Sequence, residues 1–280
     1  MYRLFPTLNI YVLWLVDVTT VFISSCFVLH YQTMPGCMGM GSILDCCNIQ
    51  LNHWLTFIPI IVGVLFICLV GTFLFLFKKT KKFIAELALY QIDCYESIVI
   101  EAFQRKHSVK VQIVEVAYPL AFTHGFIRPH ILVSTGLIDL LQTYELEAVL
   151  EHEYYHYQNR DPFKLSIGYS LARVFSFLPI SQKFYTRYLM EKEINADTFA
   201  IREVGMKPVA SALYKLMTNV PPSSFAMAHF QNHSFRDTNT RIEVLLTGKY
   251  KRPSIALVDW MESSIHILLI VLLIAGVSFL

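Results

Sequence analysis

Residues 151–156 read E-H-E-Y-Y-H, and the rest of the chain has to be understood around this stretch. It places two imidazoles, those of His152 and His156, four positions apart, with the carboxylate of Glu153 between them. On an α-helix, residues i and i+4 project from the same face, so the two imidazoles can converge on one ion. Glu153 then stands beside the position where that ion binds water. The stretch therefore predicts a metal site built on a helix.

This spacing is the H-E-x-x-H pattern of zinc peptidases, in which the glutamate is the general base. Zinc in such a site needs a further protein ligand and an open position for water. The five residues alone also fit a polar stripe on a surface helix. Tyr154 and Tyr155 fill the two variable positions, and Tyr155 is a candidate donor to the transition state, although packing is the commoner role of such a tyrosine.

The composition points to a membrane protein. The chain is 55% hydrophobic and 16% charged, with a mean hydropathy of +0.48, which is too apolar for an ordinary soluble domain and predicts several membrane segments. No basic cluster is interleaved with aromatic residues, so direct nucleic acid binding is not expected. The six cysteines form no C-x-x-C pair, so a cysteine metal site is not expected either.

Two apolar runs in the first third of the chain predict membrane spans, a first segment within residues 1–31 and a second at residues 55–77. The intervening loop, residues 32–54, contains no Lys or Arg, whereas four lysines follow the second run at positions 78, 79, 81 and 82. Because basic residues mark the cytosolic side, the loop is predicted to be extracellular and the following domain cytosolic.

A cytosolic zinc peptidase domain is predicted for residues 78–255, and a C-terminal membrane segment for residues 256–280. We predict a helix from Phe83 to Lys106, a metal helix from Tyr144 to Gln158 capped by Thr143, and another helix starting at Asp161-Pro162. Alternating or short apolar runs predict a small sheet before the metal helix, with strands at Val109–Ala117, Ala121–Phe126 and His130–Ser134. An edge strand of this sheet either pairs with the substrate backbone or is a plain structural hairpin.

Two further segments bear on the site and on the membrane. In the helix predicted over Tyr185–Val204, Glu193 and Asp197 lie four apart and share a face, beside the small Ala196, which permits close approach to the metal helix. Without the H-E-x-x-H stretch, residues 191–193 would be interpreted as a solvated charge run. Residues 165–180 are apolar but contain Arg173, which favours the core of the cytosolic domain over an interfacial or re-entrant helix.

Three motifs in combination resemble a known family: R-P-H-I-L-V-S-T-G-L at residues 128–137, E-A-V-L-E-H-E-x-x-H-x-x-x-x-D at residues 147–161, and E-x-x-A-D at residues 193–197. They are similar to the membrane-anchored gluzincin peptidases, and within these to the antirepressor metallopeptidases of beta-lactam sensing and methicillin resistance. The resemblance implies a multi-pass membrane protein, with α-helical transmembrane segments around a mainly α zinc peptidase domain that has a small β-sheet. It also implies that His152, His156 and Glu193 hold zinc, that Glu153 is the general base, and that Asp197 orients a ligand histidine.

The sequence departs from the family in two places. Related quality-control peptidases of the membrane carry a histidine six residues before the arginine that matches Arg241, and Phe235 stands there in this chain. His233 and Arg241 are therefore only candidates for contact with the substrate or the transition state. Receptor members continue into an extracellular penicillin-binding sensor, whereas this sequence stops at Leu280, so a beta-lactam signal is not inferred.

The predicted activity is hydrolysis of peptide bonds by a metal-activated water at the cytosolic side of the cell membrane. The candidate substrates are a cytosolic transcriptional repressor and the chain itself. Two alternatives are a housekeeping protease for damaged membrane proteins and a non-catalytic receptor or scaffold with a structural zinc. Glu153 argues against the scaffold, because a structural site needs no base.

Overall fold

The computed structural model describes residues 43–92, 95–219, 234–250, 252 and 254–277, with side chains given for all of these except 43–58, 234–238 and 271–277. The helices are α1 Ile43–Ala88, α2 Ile98–His107, α3 Thr135–Leu140, α4 Thr143–Asn159, α5 Asp161–Val174, α6 Pro179–Val204, α7 Met206–Asn219, α8 Ser234–Thr247 and α9 Leu257–Val277. The strands are β1 Gln91–Ile92, β2 Val111–Val114, β3 Ala121–His124 and β4 His130–Ser134.

Helix α1 contains the predicted second membrane span and is longer than the sequence suggested. It begins at Ile43, so the second half of the predicted loop 32–54 is helical. Its segment Pro59–Ala88 is long and apolar enough to cross a membrane, and it is the one helix among the described residues that meets this test. The predicted span within residues 1–31 lies outside the described residues, so a multi-pass topology stays a prediction.

The chain divides into two compact units, and residues 168–186 fall in the same unit as α9. In that unit the backbone N–H of Ile180 donates to Ser263 Oγ at 3.3 Å, and Lys183 pairs with Asp259. The larger unit comprises Phe77–Ile167 and Arg187–Pro253 and contains the sheet and α4. The sequence analysis placed the apolar segment 165–180 in the core of the cytosolic domain. Most of this segment belongs instead to the unit that contains α9. Helix α9 coincides with the predicted C-terminal span, which also stays a prediction.

The sheet has the strand order β1-β2-β4-β3. Strands β2 and β4 are parallel, with Val111 opposite Ile131, while β1 and β3 pair antiparallel to their neighbours. Strand β3 ends at His124 rather than at Phe126, because Gly125 has a φ of +97° and turns the chain. A Cβ at this glycine would lie 2.3 Å from the carbonyl oxygen of Arg128, so only glycine fits. The predicted helix over residues 83–106 is wrong, since α1 ends at Ala88 and β1 follows it.

The two faces of the sheet are both buried, and this fixes α4 in place. One face packs on α4 and α2 through a core cluster that includes Ile113, Ile131, Val133, Val149 and Leu150. The other face packs on the C-terminal end of α1 through a cluster of Leu87, Val114, Leu120 and Leu132. Because α4 lies directly against the sheet, β3 comes to lie beside the H-E-x-x-H residues.

The N-terminus of α4 is held by a buried ion pair. Glu145 is 1% exposed, and its carboxylate accepts from the backbone N–H of Gln142 at 2.8 Å, from Lys215 Nζ at 2.6 Å and from Ser211 Oγ at 2.5 Å. Gln142, not Thr143, is the N-cap residue. Since Ser211 and Lys215 belong to α7, Glu145 joins α7 to the start of α4.

Replacing Glu145 with alanine should therefore destabilise the larger unit by about 2 kcal/mol, because the charge-assisted hydrogen bonds of Lys215 and Ser211 are lost. Burial raises the pKa of Glu145, but Lys215 and Ser211 outweigh it and hold that pKa below the usual 4.5. The stabilisation should be complete above pH 4.5 and should disappear as the pH falls through the lowered native value. Thermal unfolding of purified wild type and variant at several pH values measures this. The exposed Glu147→Ala on the same turn is the control, and equal melting of both variants at pH 7 would contradict the assignment.

Candidate metal centre and active site

Three potential metal ligands converge in the larger unit. His152 and His156 lie on α4 and Glu193 lies on α6, with their ligand atoms all within 4.8 Å of one another. The two Nε2 atoms are 3.1 Å apart. That of His152 lies 3.4 Å from Glu193 Oε2, and that of His156 lies 3.7 Å from Glu193 Oε1. Tetrahedral zinc with ligands at about 2.0–2.2 Å separates its ligand atoms by roughly 3.3–3.5 Å. The arrangement therefore fits a zinc ion with two imidazoles and one carboxylate.

Each histidine is oriented by a carboxylate on its other ring nitrogen. His152 Nδ1 lies 2.9 Å from Asp197 Oδ1, and His156 Nδ1 lies 2.7 Å from Asp161 Oδ2. Such contacts fix the ring orientation and leave each Nε2 directed at the common point. Asp197 thus lies beside His152, one of the three candidate metal ligands. Asp161 had been interpreted only as a helix cap, and in the structure it is the first residue of α5.

Arg241 from α8 closes the charge network. Its Nε donates to Asp197 Oδ2 and its NH2 to Asp197 Oδ1, both at 2.7 Å, and its NH1 lies 3.4 Å from Glu193 Oε2. Burial raises the pKa of Asp197, but Arg241 and His152 outweigh it and lower that pKa to about 2. Bidentate pairing of this kind is among the stronger protein hydrogen bonds. Asp197 is thus a fixed anion that holds a ligand histidine on one side and a guanidinium on the other.

The charges around His152, His156 and Glu193 stabilise a positive charge between these three side chains. Burial raises the pKa of Glu193, but the neighbouring Lys192 and His152 hold it well below its usual range, so Glu193 is ionised. Burial lowers the pKa of His152, but hydrogen bonds to Asp197 and Glu193 raise it to about 9. The same carboxylates that stabilise a proton on His152 would stabilise a divalent cation in its place.

Glu153 lies next to this centre, and β3 holds it. Its side chain is buried at 8% exposure, and Thr123 Oγ1 lies 2.9 Å from its Oε2 and 2.8 Å from its backbone oxygen. Glu153 follows His152 on the helix and is rotated from it by about 100°. Its carboxylate is therefore held beside the three candidate ligands, as a general base has to be.

The acidic and basic residues 191–193 do not form a solvated charge run. Lys192 Nζ lies 2.7 Å from Glu193 Oε1, with the lysine side chain only 12% exposed. Glu191 is 5% exposed and accepts from Arg187 Nε at 2.9 Å. This part of α6 is thus buried against the site. Glu193 accordingly has a cation on each side, Lys192 and Arg241.

The three candidates for substrate contact have different positions. The ring of Tyr155 is half-buried, with its centroid 5.7 Å from that of Phe199 and 6.0 Å from that of His156. Burial and the charge of Asp161 raise the pKa of Tyr155 to about 12, so it remains a hydrogen-bond donor at neutral pH. The guanidinium of Arg241 is directed at Asp197 and Glu193. His233 lies outside the described residues.

Sequence reasoning missed three contacts of the site. Asp161 follows His156 by five residues, but this spacing alone does not indicate their contact. Lys192 could have been noticed because it precedes the predicted ligand Glu193. No local pattern marks Thr123, since its contact with Glu153 depends on how the sheet packs on α4.

Comparison with known proteins agrees with this geometry. Residues 91–221 match Peptidase family M48. Regulatory protein BlaR1 of Staphylococcus aureus is 25% identical over 183 residues, which cover 61% of this chain and 30% of BlaR1. A Protease HtpX homolog of Listeria monocytogenes serotype 4b is 42% identical over 72 residues (25% of this chain, 23% of the relative), and one of Moorella thermoacetica is 41% identical over 78 residues (27% and 25%).

This chain thus spans less than a third of the length of these relatives. The H-E-x-x-H helix, Glu193 and Asp197 all lie within the matched residues 91–221. The resemblance to membrane zinc peptidases that the sequence motifs suggested is confirmed. Residues 91–221, just under half of the chain, are thus similar to Peptidase family M48, the family of metallopeptidases that the site geometry suggests.

Proposed function

We propose that this protein is a membrane-anchored zinc endopeptidase. The convergence of His152, His156 and Glu193 with the buried carboxylate of Glu153 beside them is the observation that carries the proposal. A structural zinc site is normally closed by four protein ligands, whereas the cluster found among the described residues offers three, as a site with an open position for water does. This arrangement favours a catalytic site over a scaffold.

The protein's own groups divide the catalytic work. When bound, zinc would acidify its water and polarise the scissile carbonyl. Glu153 takes the proton of the attacking water and gives it to the leaving amine, and Thr123 holds its carboxylate in position for both transfers. Asp161 and Asp197 keep the two imidazoles directed at the centre. Tyr155, which stays protonated, is a candidate donor to the developing oxyanion.

Strand β3 is the candidate substrate-binding element. It lies at the edge of the sheet, and its residue Thr123 touches Glu153. An extended peptide can add to such an edge through backbone hydrogen bonds, which depend little on sequence. A peptide paired with β3 would pass directly beside the general base. This supports cleavage within a chain and favours the substrate-binding role over a plain hairpin.

Two physiological roles are compatible with the site. The similarity to Regulatory protein BlaR1 favours regulated cleavage, with a cytosolic repressor or the chain itself as substrate. The similarity to Protease HtpX homologs favours general proteolysis of membrane proteins. A gene for a winged-helix repressor beside this one would support the first role.

We propose that the peptidase lies on the cytosolic side of the membrane, and the lysines after the apolar part of α1 support this orientation. This orientation is part of the proposal. In a chain whose other cysteines are replaced, a cysteine at the exposed position 158 should resist an impermeant reagent added from outside. Its labelling in intact cells would reverse the orientation.

The activity itself is tested by removing and returning the metal. Purified protein in detergent should cleave an unstructured protein such as casein, lose this activity with a zinc chelator, and regain it when zinc is added back. The loss is expected because zinc would acidify the attacking water. Cleavage that persists after complete removal of zinc would refute the proposal.

A further inference from the structure

The turn between β3 and β4 lies against the membrane end of α1. We call residues Phe126, Ile127 and Arg128 the hairpin tip. The ring centroid of Phe126 lies 5.1 Å from that of Phe77, and the ring centroid of Phe122 lies 6.1 Å from that of Phe83. The hairpin thus contacts α1 at two separate points, both within the larger unit.

These two contacts give the hairpin a direction. From Phe122 to Phe126 the chain advances by at most about 13 Å, since it turns at Gly125. The contact point on α1 moves back from Phe83 to Phe77, which is about 9 Å along the helix. Strand β3 therefore runs antiparallel to the segment of α1 from Phe77 to Phe83. Phe77 is the last residue of the charge-free run 55–77, so the tip reaches the level where that run ends.

The side chains at this level suit a bilayer surface. Ile127 is 80% exposed and Arg128 beside it is also exposed. The lysines at positions 78, 79, 81 and 82 follow Phe77, and Lys81 Nζ lies 4.7 Å from the centroid of the Phe77 ring. Exposed apolar side chains beside clustered cations are typical of segments that enter the lipid headgroup region, where the cations meet phosphate groups.

We propose that the hairpin tip inserts into the headgroup region of an anionic lipid bilayer. The lipid surface is the chosen partner because the tip lies level with the end of a membrane-spanning candidate and is surrounded by positive charge. This inference rests on the proposed membrane anchorage through α1. It adds a second point of attachment beside α1.

The attachment has a consequence for the substrate. Thr123, which touches Glu153, precedes Ile127 by four residues, a distance of at most about 14 Å along the chain. The general base is then held close to the membrane surface. This favours the chain itself and segments of membrane proteins just outside the bilayer over a freely diffusing repressor as natural substrates.

The test places a tryptophan at the tip. The full chain is reconstituted into nanodiscs of phosphatidylcholine and phosphatidylglycerol, with bromine atoms on the upper part of the acyl chains. Emission is measured for wild type, Ile127→Trp and Glu115→Trp, and the signal of the three native tryptophans is subtracted. Glu115 is the control because it is exposed and remote from the tip. It follows Val114, which pairs with Ser134 at the end of β4 farther from the hairpin turn.

We expect the tryptophan at position 127 to lose emission in brominated lipid and to shift to shorter wavelength, with neither change at position 115. Equal quenching at the two positions, or none at position 127, would overturn the proposal. Cleavage of casein by the same samples separates this result from the proposed function. An active Ile127→Trp protein without quenching would refute only the hairpin contact. Quenching in zinc-loaded samples without peptidase activity would support the contact and refute the peptidase.

Discussion

Replacing Glu153 with glutamine should reduce casein cleavage by about 10²–10⁴-fold, the usual cost of losing a general base. Glutamine keeps the shape of the side chain and its hydrogen bond to Thr123, but it cannot accept the proton of the attacking water. Because Glu153 is not among the three candidate ligands, zinc content and thermal stability should stay unchanged.

The measurement pairs cleavage rate with zinc content in wild type, Glu153→Gln and Glu147→Gln. Glu147 is a suitable control because it is an exposed glutamate on the same helix. Undiminished cleavage in Glu153→Gln would refute the assignment of the base. Loss of zinc from Glu153→Gln would instead make Glu153 a ligand and would support the scaffold alternative.

Replacing His156 with alanine should remove zinc from the protein, which otherwise should bind about one ion per chain. His156 supplies one of the three convergent ligand atoms, and its loss would also leave Asp161 without its partner. Glu193→Ala should likewise lower zinc content, since no other described carboxylate belongs to the cluster. Peptidase activity should disappear in both variants.

Elemental analysis of the purified proteins measures this directly, with His130→Ala as the matched control. His130 is an exposed histidine on β4 and lies outside the cluster. If Glu193→Ala binds as much zinc as wild type, the third ligand is a residue other than Glu193. If His156→Ala retains its zinc, the H-E-x-x-H stretch is not the zinc site.

The metal helix was predictable because its information is local. Two histidines four residues apart on a helix share one face whatever the surrounding fold. The sequence spacing alone was therefore enough to predict that His152 and His156 lie close together. Glu193 lies on another helix, and its role was inferred from the E-x-x-A-D motif. The structure places all three in one pocket.

Other features depend on tertiary structure and left no local signal. Strand β1 has only two residues, and it exists because Gln91 and Ile92 pair with β2. The contact of Asp161 with His156 requires the chain to turn at Arg160, which has a left-handed φ of 52° that is unusual for arginine. Sequence reasoning finds Asp-Pro at a helix start but not this turn.

The bidentate contact between Arg241 and Asp197 determines how much of the chain a shortened variant has to contain to keep the site intact. Residues 91–221 constitute the match to the family, and they contain Asp197 but not Arg241, which lies in α8. A fragment cut at that boundary would carry all three candidate zinc ligands and the base, yet leave Asp197 without its guanidinium. A fragment meant to keep this contact therefore has to extend beyond the matched segment and include α8, and a chimera joined earlier should hold His152 less firmly.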